Sequence, residues 1–195
     1  MGDAATERWI DYDEYLAIER DTDRKHEWLD GWAWAMAGGT PAHNHLCAQV
    51  IVELARLVGE RPCRVFTSDQ KLRVPATGLA TYADALLVCG ELQRDANDPN
   101  ALTNALVIVE VLSDSSETYD RGDKFAHYKR LPSLRDYVLV SQHEARVEVY
   151  SRAEGRRWIY QDAVLGEPCP LAALEAPLDV TRVYRGVELE PVRRR

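Results

Sequence analysis

The stretch Ala105-Leu-Val-Ile-Val-Glu-Val-Leu112 decides the fold of this chain, because it is apolar and largely β-branched except for one acid. Such a run predicts a strand buried on both faces of a sheet. Its purely aliphatic part is far shorter than the ~20 residues that cross a bilayer. An unpaired carboxylate at Glu110 would cost several kcal/mol or shift its pKa. The acid therefore needs a partner, either an Arg or Lys in a structural ion pair or a metal ion.

A second strand-like run, Tyr82–Cys89, carries an acid near its start. Alone, Asp84 is typical of a turn cap. If the two strands are neighbours, the carboxylates of Asp84 and Glu110 converge on one hard cation such as Mg²⁺.

Lys124 follows in a predicted helix, residues 121–130, with Tyr128 four positions later on the same face. A helical lysine is usually solvent-exposed. The functional alternative places its ammonium beside the carboxylates, where it orients an attacking water or stabilises charge on a phosphoryl group. Residues 121–135 contain five basic side chains against one acid, which predicts a surface for phosphate contacts.

The remaining segments predict one mixed fold. A short helix capped by Asp11 or Asp13 precedes a hairpin that turns at Asp30-Gly31, and residues 42–58 have helical spacing. Residues 137–140, 146–150 and 157–160 predict an antiparallel meander. The fold class is therefore α/β (α+β), a single domain over residues 1–195 with a mixed central β-sheet flanked by helices.

Composition limits the function classes. The net charge of −8 argues against a general nucleic-acid coat protein, although a metal ion reverses the local field of an acidic site. The four cysteines (Cys47, Cys63, Cys89 and Cys169) lie far apart, so neither structural zinc nor a disulfide framework is expected. Together with an N-terminus unlike a signal peptide, this predicts a cytoplasmic location with no membrane association.

Two other signals favour ordinary structural roles. Residues 43–45 spell HNH, but consecutive placement fits the first turn of a helix, where Asn44 helps to cap, better than a metal-binding unit. Trp32 and Trp34 fall on one face of a strand, which favours core or dimer packing over base stacking. Phosphate-loop, dinucleotide-binding and serine-hydrolase motifs are absent from the sequence.

Six short motifs, taken in order, resemble one known family. They are HEWLDG at 26–31, PAHN at 41–44, VFTSD at 65–69, TYAD at 81–84, IVEVLS at 108–113 and YDRGDKFAHY at 119–128. The pattern is similar to that of the Uma-type putative restriction endonucleases, a branch of the PD-(D/E)xK nuclease superfamily. The resemblance covers roughly residues 12–150, and Ala83 and Asp114 stand where that pattern usually has proline.

The resemblance implies a restriction-endonuclease-like core with Asp84 and Glu110 as Mg²⁺ ligands, Mn²⁺ being a possible substitute. It makes Lys124 the catalytic lysine, on the helix rather than on the strand, and it lets Glu27 join the cluster. The backbone carbonyl of Val111 would be a further ligand.

The function predicted from these residues is Mg²⁺-dependent hydrolysis of DNA. Tyr128 is expected to support Lys124, because the two share a helical face. The expected assembly is a homodimer. Two alternatives stay open. In one, a catalytically silent nuclease fold serves as a nucleic-acid-binding or regulatory module; in the other, the acids and Lys124 form only a structural ion-pair network.

Overall fold

The computed structural model describes residues 8–189, and residues 1–7 and 190–195 lie outside that description. The helices are α1 (Tyr12–Asp21), α2 (Pro41–Val58), α3 (Glu117–Tyr119), α4 (Phe125–Tyr128) and α5 (Val180–Val183), and a π-helical turn (Asp120–Lys124) joins α3 to α4. The strands are β1 (His26–Leu29), β2 (Trp32–Ala35), β3 (Cys63–Thr67), β4 (Lys71–Val74), β5 (Leu79–Tyr82), β6 (Ala85–Cys89), β7 (Val107–Val111), β8 (Asp136–Val140), β9 (Arg146–Arg152), β10 (Trp158–Val164), β11 (Pro168–Leu171) and β12 (Ala176–Asp179).

The apolar run that contains Glu110 forms β7, in the interior of a six-stranded sheet ordered β10-β9-β8-β7-β6-β3. β7 and β8 are parallel, and every other neighbouring pair in this sheet is antiparallel. All five residues of β7 are buried. The predicted mixed sheet, and the antiparallel meander made by β8, β9 and β10, are confirmed.

Alternation along β7 separates two apolar layers. Val107, Val109 and Val111 pack on the side of α2 and the C-terminal hairpin of β11 and β12. Ile108 packs on the opposite side, with Phe125 of α4. Because side chains alternate along a strand, Glu110 shares the face of Ile108 and points toward the π-helical turn and α4.

A four-stranded sheet ordered β2-β1-β5-β4 packs against that second side. Asp11 caps α1 in a capping box with Glu14, as the sequence predicts. The hairpin turn also forms as predicted, with positive φ at Asp30 and Gly31. A Cβ at residue 31 would overlap the indole of Trp9, so this turn requires glycine for space as well as for conformation.

The predicted single strand Tyr82–Cys89 is wrong. β5 ends at Tyr82 in the four-stranded sheet, and β6 begins at Ala85 in the six-stranded sheet. Only Ala83 and Asp84 join the two strands, so Asp84 lies where the chain passes from one sheet to the other. A continuous apolar pattern cannot reveal this change, because both strands are buried.

The expectation that the cysteines form no disulfide is also wrong for one pair. Cys63 and Cys89 lie opposite each other in the antiparallel pair of β3 and β6 and form a disulfide, while Cys47 and Cys169 are free thiols. The two cysteines are 26 positions apart in the sequence, and only the register of β3 against β6 brings them together. Cysteine usage therefore no longer supports a reducing compartment.

Two smaller expectations are corrected. The cap of α2 is Thr40, whose hydroxyl accepts the backbone N–H of His43, whereas Asn44 donates to the Gly39 carbonyl. Trp32 does share one face of β2 with Trp34, but it is 41% exposed and so is not part of the core, while its packing in a dimer stays a prediction. No helix among residues 8–189 is long and apolar enough to cross a membrane.

Candidate active site

Glu110 is held by two groups that the sequence placed on one helical face. The Tyr128 hydroxyl donates to Glu110 Oε1 at 2.8 Å, and Lys124 Nζ lies 3.0 Å from the same oxygen. The side chains of Glu110 and Lys124 are both 5% exposed. Lys124 is therefore not a solvent-exposed lysine.

Lys124 contacts three carboxylates from three different elements. Besides Glu110 on β7, its Nζ lies 3.1 Å from Glu27 Oε1 on β1 and 3.6 Å from Asp120 Oδ1 at the start of the π-helical turn. Thr81 donates a hydrogen bond to Glu27 from the neighbouring strand β5. The π-helical turn, a feature frequent at functional sites, thus places Lys124 between the two sheets.

Asp84 joins this cluster through the backbone of β7. Its Oδ2 accepts the N–H of Val111 at 2.7 Å, and its Oδ1 lies 3.1 Å from His43 Nε2. Ala85 pairs with Val109 in the antiparallel register of β6 and β7, so Asp84 lies beside Glu110. Asp84 and Glu110 therefore lie on adjacent stretches of backbone, and the convergence of their carboxylates on one cation stays a prediction.

Val111 meets Asp84 with its backbone N–H, not with its carbonyl. That bond fixes the Asp84 carboxylate against the end of β7. The predicted ligand role of the Val111 carbonyl is a separate matter and stays a prediction.

Hydrogen bonds of Gln142 support His43 on the Nδ1 side of its ring, away from Asp84. The buried Gln142 donates from Nε2 to the Leu112 carbonyl at 2.6 Å and accepts from the Thr40 hydroxyl at 3.0 Å. The same Nε2 lies 3.4 Å from His43 Nδ1; where it donates to that nitrogen, the ring is the neutral tautomer whose Nε2–H donates to Asp84. This arrangement fixes the ring that contacts Asp84.

Burial and like charges shift the pKa values of the acids. Burial raises the pKa of Glu110 well above its usual value, although the Lys124 ammonium opposes the shift, and burial likewise raises the pKa of Asp120. Burial alone would lower the pKa of Lys124, but Glu110 and Glu27 overcome it and hold that pKa well above its usual value. Burial would also raise the pKa of Asp84, but the hydrogen bond from His43 overcomes it and the pKa is lowered.

The predicted basic surface at residues 121–135 is smaller than the sequence suggests. Lys124 is buried, and Arg121 forms a two-pronged pair with Glu148 of β9, with both N···O distances at 2.7 Å. Arg121 also contacts Glu117 at 2.8 Å. The exposed basic residues of the stretch are the remaining three, Lys129, Arg130 and Arg135.

Sequence reasoning missed several neighbours of the cluster. His43 was interpreted as a helix-start residue and Cys47 as a small apolar residue, yet both approach Asp84. Their spacing of four positions on α2 was the available signal, since such residues share a helical face. Asp120 has the same spacing from Lys124. Gln142 lies in a loop and gave no signal.

Comparison with known proteins assigns the chain to a family. A family model described as a putative restriction endonuclease matches residues 12–181. The chain belongs to the Uma2 family. The Uma2 match extends beyond the motifs, to the start of α5.

Two curated relatives have comparable length. The Synechocystis sp. protein named "Uncharacterized protein slr1290" is 30% identical over 175 residues, covering 90% of this chain and 91% of its own. "Uncharacterized protein sll1609" of the same organism is 31% identical over 163 residues, covering 84% of this chain and 92% of its own.

A solved structure has the same fold. The crystal structure of a putative nuclease belonging to DUF820 from Anabaena variabilis superposes with a TM-score of 0.70 at 17% identity, covering 92% of this chain and 99% of that one. The expected nuclease-like α+β fold is thereby confirmed for this Uma2 chain.

Proposed function

We propose that this Uma2 protein is a Mg²⁺-dependent endonuclease that hydrolyses phosphodiester bonds of DNA. The observation that carries the proposal is a charge imbalance in a confined place. Three carboxylates, from Glu27, Glu110 and Asp120, lie within 3.6 Å of one buried ammonium, and Asp84, which is paired with His43, is near enough to feel its charge. Such an excess of buried negative charge is relieved by a divalent cation.

The donor set fits a hard cation. Magnesium is bound by one or two carboxylates and keeps several waters, and Asp84, directly before β6, is held by the Val111 N–H next to Glu110 of β7. A bound Mg²⁺ would polarise the scissile phosphate and lower the pKa of a water nucleophile. Val111 would add a backbone oxygen at the end of the same strand.

The remaining side chains prepare the site. Lys124 stands between Glu27 and Glu110, where its ammonium orients a water and offsets charge that develops on the phosphate. Tyr128 holds Glu110 through its hydroxyl, and His43 holds Asp84. These hydrogen bonds fix the rotamers of both acids before substrate arrives.

The alternative is a nuclease fold that binds nucleic acid or regulates a partner without cleaving. Its specific support is that Lys124 already compensates part of the negative charge, so an ion-pair network can persist without catalysis. Metal binding without hydrolysis would favour this alternative.

The test is cleavage of supercoiled and linear DNA with and without Mg²⁺ or Mn²⁺. We expect metal-dependent cleavage by the wild type that falls by roughly 10²-fold or more in Asp84→Asn and Lys124→Met, as for removal of a group that stabilises a transition state. Asp123→Asn is the matched control, because Asp123 is exposed in the same π-helical turn.

Equal residual cleavage by the wild type and Asp84→Asn would indicate a contaminating nuclease and refute the proposal. Circular dichroism of Lys124→Met separates lost chemistry from lost folding, since removing one partner of a buried ion pair costs about 3–5 kcal/mol.

Three further proposals accompany this function. We propose that the chain forms a single domain, which limited proteolysis tests. We also propose that it forms a homodimer, which light scattering during gel filtration tests. A cytoplasmic location is tested by the oxidation state of Cys63 and Cys89 in cells.

A further inference from the structure

A second donor set lies on the α2 side of Asp84. His43 Nε2, Cys47 Sγ and an Asp84 carboxylate oxygen all lie within 4.8 Å of one another. The proposed Mg²⁺ site uses neither the thiol nor the imidazole as a metal ligand, and His43 serves it only by holding Asp84. A nitrogen, a sulfur and an oxygen together are unsuited to Mg²⁺, which prefers oxygen, and suit a softer ion such as Zn²⁺.

Local structure holds these donors in place. His43 and Cys47 are one turn apart on α2, so they share a helical face, and α2 packs against the six-stranded sheet. Asp84 is fixed at the sheet junction by the Val111 N–H. His43 and Asp84 are 16% and 17% exposed, which leaves an ion a path from solvent.

The distances require little movement. Four-coordinate zinc with bond lengths of about 2.0–2.3 Å keeps its ligand atoms roughly 3.5 Å apart. His43 Nε2 and Asp84 Oδ1 are already at 3.1 Å, and the set as a whole lies within 4.8 Å. Three protein ligands and a water complete a tetrahedral site.

We propose that His43, Cys47 and Asp84 bind one Zn²⁺-class ion, and that this ion withdraws Asp84 from the Mg²⁺ site. Binding releases the proton of the Cys47 thiol to solvent, because a coordinating thiol is deprotonated. The proton on His43 Nε2 transfers to Nδ1, so the ring stays neutral. The Gln142 amide must then turn its oxygen toward Nδ1, which gives the usual outer-shell support of a metal-bound histidine but breaks the hydrogen bond from Gln142 to the Leu112 carbonyl.

The functional consequence is inhibition of the nuclease by zinc. This consequence rests on the proposed function, because it requires Asp84 to serve Mg²⁺. Zinc binding itself does not rest on it, so the two are tested separately.

The binding test uses Co²⁺ as a spectroscopic probe, without reductant so that Cys63 and Cys89 stay paired. We expect a thiolate-to-cobalt charge-transfer absorption in the wild type that is lost in Cys47→Ala. Cys169→Ser is the matched control, because Cys169 is the other free thiol and is buried under β9. It should keep the absorption.

The same titration tests the imidazole. His43→Ala should weaken Zn²⁺ binding about 100-fold or more, measured against a competing chelator, since loss of even an outer-shell partner costs about 10–100-fold. Absorption missing from the wild type, or retained in Cys47→Ala, would overturn the proposal.

Inhibition is measured as the Zn²⁺ concentration that halves Mg²⁺-dependent cleavage. That concentration should rise by at least about tenfold in Cys47→Ala relative to Cys169→Ser, in line with the loss of one ligand. An equal concentration in both variants would overturn the inhibitory role. If the wild type cleaves no DNA, the proposed function fails, and the cobalt spectrum alone decides the zinc site.

Discussion

Replacing Glu110 by glutamine should stabilise the protein in the absence of divalent cations and remove the stabilisation that Mg²⁺ gives the wild type. Glutamine keeps an oxygen that accepts the Tyr128 hydroxyl, and it removes one of the negative charges around Lys124. Burial raises the pKa of Glu110, so its negative charge is less favourable in the folded protein than in the unfolded chain, and glutamine removes that charge.

The size of the effect follows from three distances. At an effective dielectric constant of about 20, the ammonium of Lys124, 3.0 Å away, attracts Glu110 by roughly 5 kcal/mol. Glu27 and Asp120 touch the same nitrogen, so their oxygens lie within roughly 7 Å of Glu110 and each repels it by at least roughly 2 kcal/mol. The terms nearly cancel, and the desolvation of Glu110, several kcal/mol, is left uncompensated. Glutamine avoids part of this desolvation cost, so Glu110→Gln should raise the free energy of unfolding by about 1–2 kcal/mol. For a chain of this length, that corresponds to a rise in Tm of roughly 2–8 °C.

The assay is thermal unfolding by calorimetry, in chelator and in saturating Mg²⁺. At a concentration 100-fold above Kd, Mg²⁺ should stabilise the wild type by about 2.7 kcal/mol and Glu110→Gln by much less. Asp123→Asn, which removes an exposed acid nearby, should respond to Mg²⁺ as the wild type does. The reasoning is refuted if Glu110→Gln is less stable than the wild type in chelator or gains as much from Mg²⁺.

Three other perturbations test the supports of the site and the fold. The hydrogen bonds from Arg121 lower the pKa of Glu148, so their stabilisation is complete above about pH 4.3, the ordinary glutamate pKa, and is lost as pH falls through the lowered value. The unfolding free energies of the wild type and Glu148→Gln should therefore converge in acid, and a constant difference would contradict this. Reductant should lower the stability of the wild type by about 3–4 kcal/mol but leave Cys63→Ser unchanged, because the bond to Cys89 closes a loop of 26 residues; a wild type that loses no stability in reductant would exclude the disulfide. Tyr128→Phe should lower the urea midpoint by the equivalent of about 1.5–3 kcal/mol, the value of a hydrogen bond to a charged group, and an unchanged midpoint would show that this bond adds nothing.

Local sequence patterns predicted most of the secondary structure around the site. The apolar run around Glu110 predicted a buried strand. The i to i+4 spacing of Lys124 and Tyr128 predicted that the two share a helical face, and in the structure both contact Glu110 Oε1. The turn at Asp30-Gly31 predicted the hairpin that brings Glu27 to the site. Each signal lies within one element, where sequence spacing and spatial spacing coincide.

The errors concern relations between elements. The junction at Asp84 was invisible because two buried strands in different sheets have the same composition as one long strand. Cys63 and Cys89 meet through strand register, which no local pattern encodes. Gln142 reaches His43 from a loop 99 positions away, and such a contact depends on the packing of the whole chain.

The site also explains why the local irregularities of this chain occur together. An acid interrupts an interior strand at Glu110, the chain leaves one sheet at Asp84, and the helix widens to a π-turn that ends at Lys124. Each departure by itself lowers the stability of the fold. The buried ion pairs of Lys124 do not offset that loss, because apolar residues of equal volume usually stabilise a core as well or better. Departures from local rules are expected at functional sites. Their meeting around a single ammonium therefore favours a metal-dependent site over a purely structural network, and the response of Glu110→Gln to Mg²⁺ decides between the two.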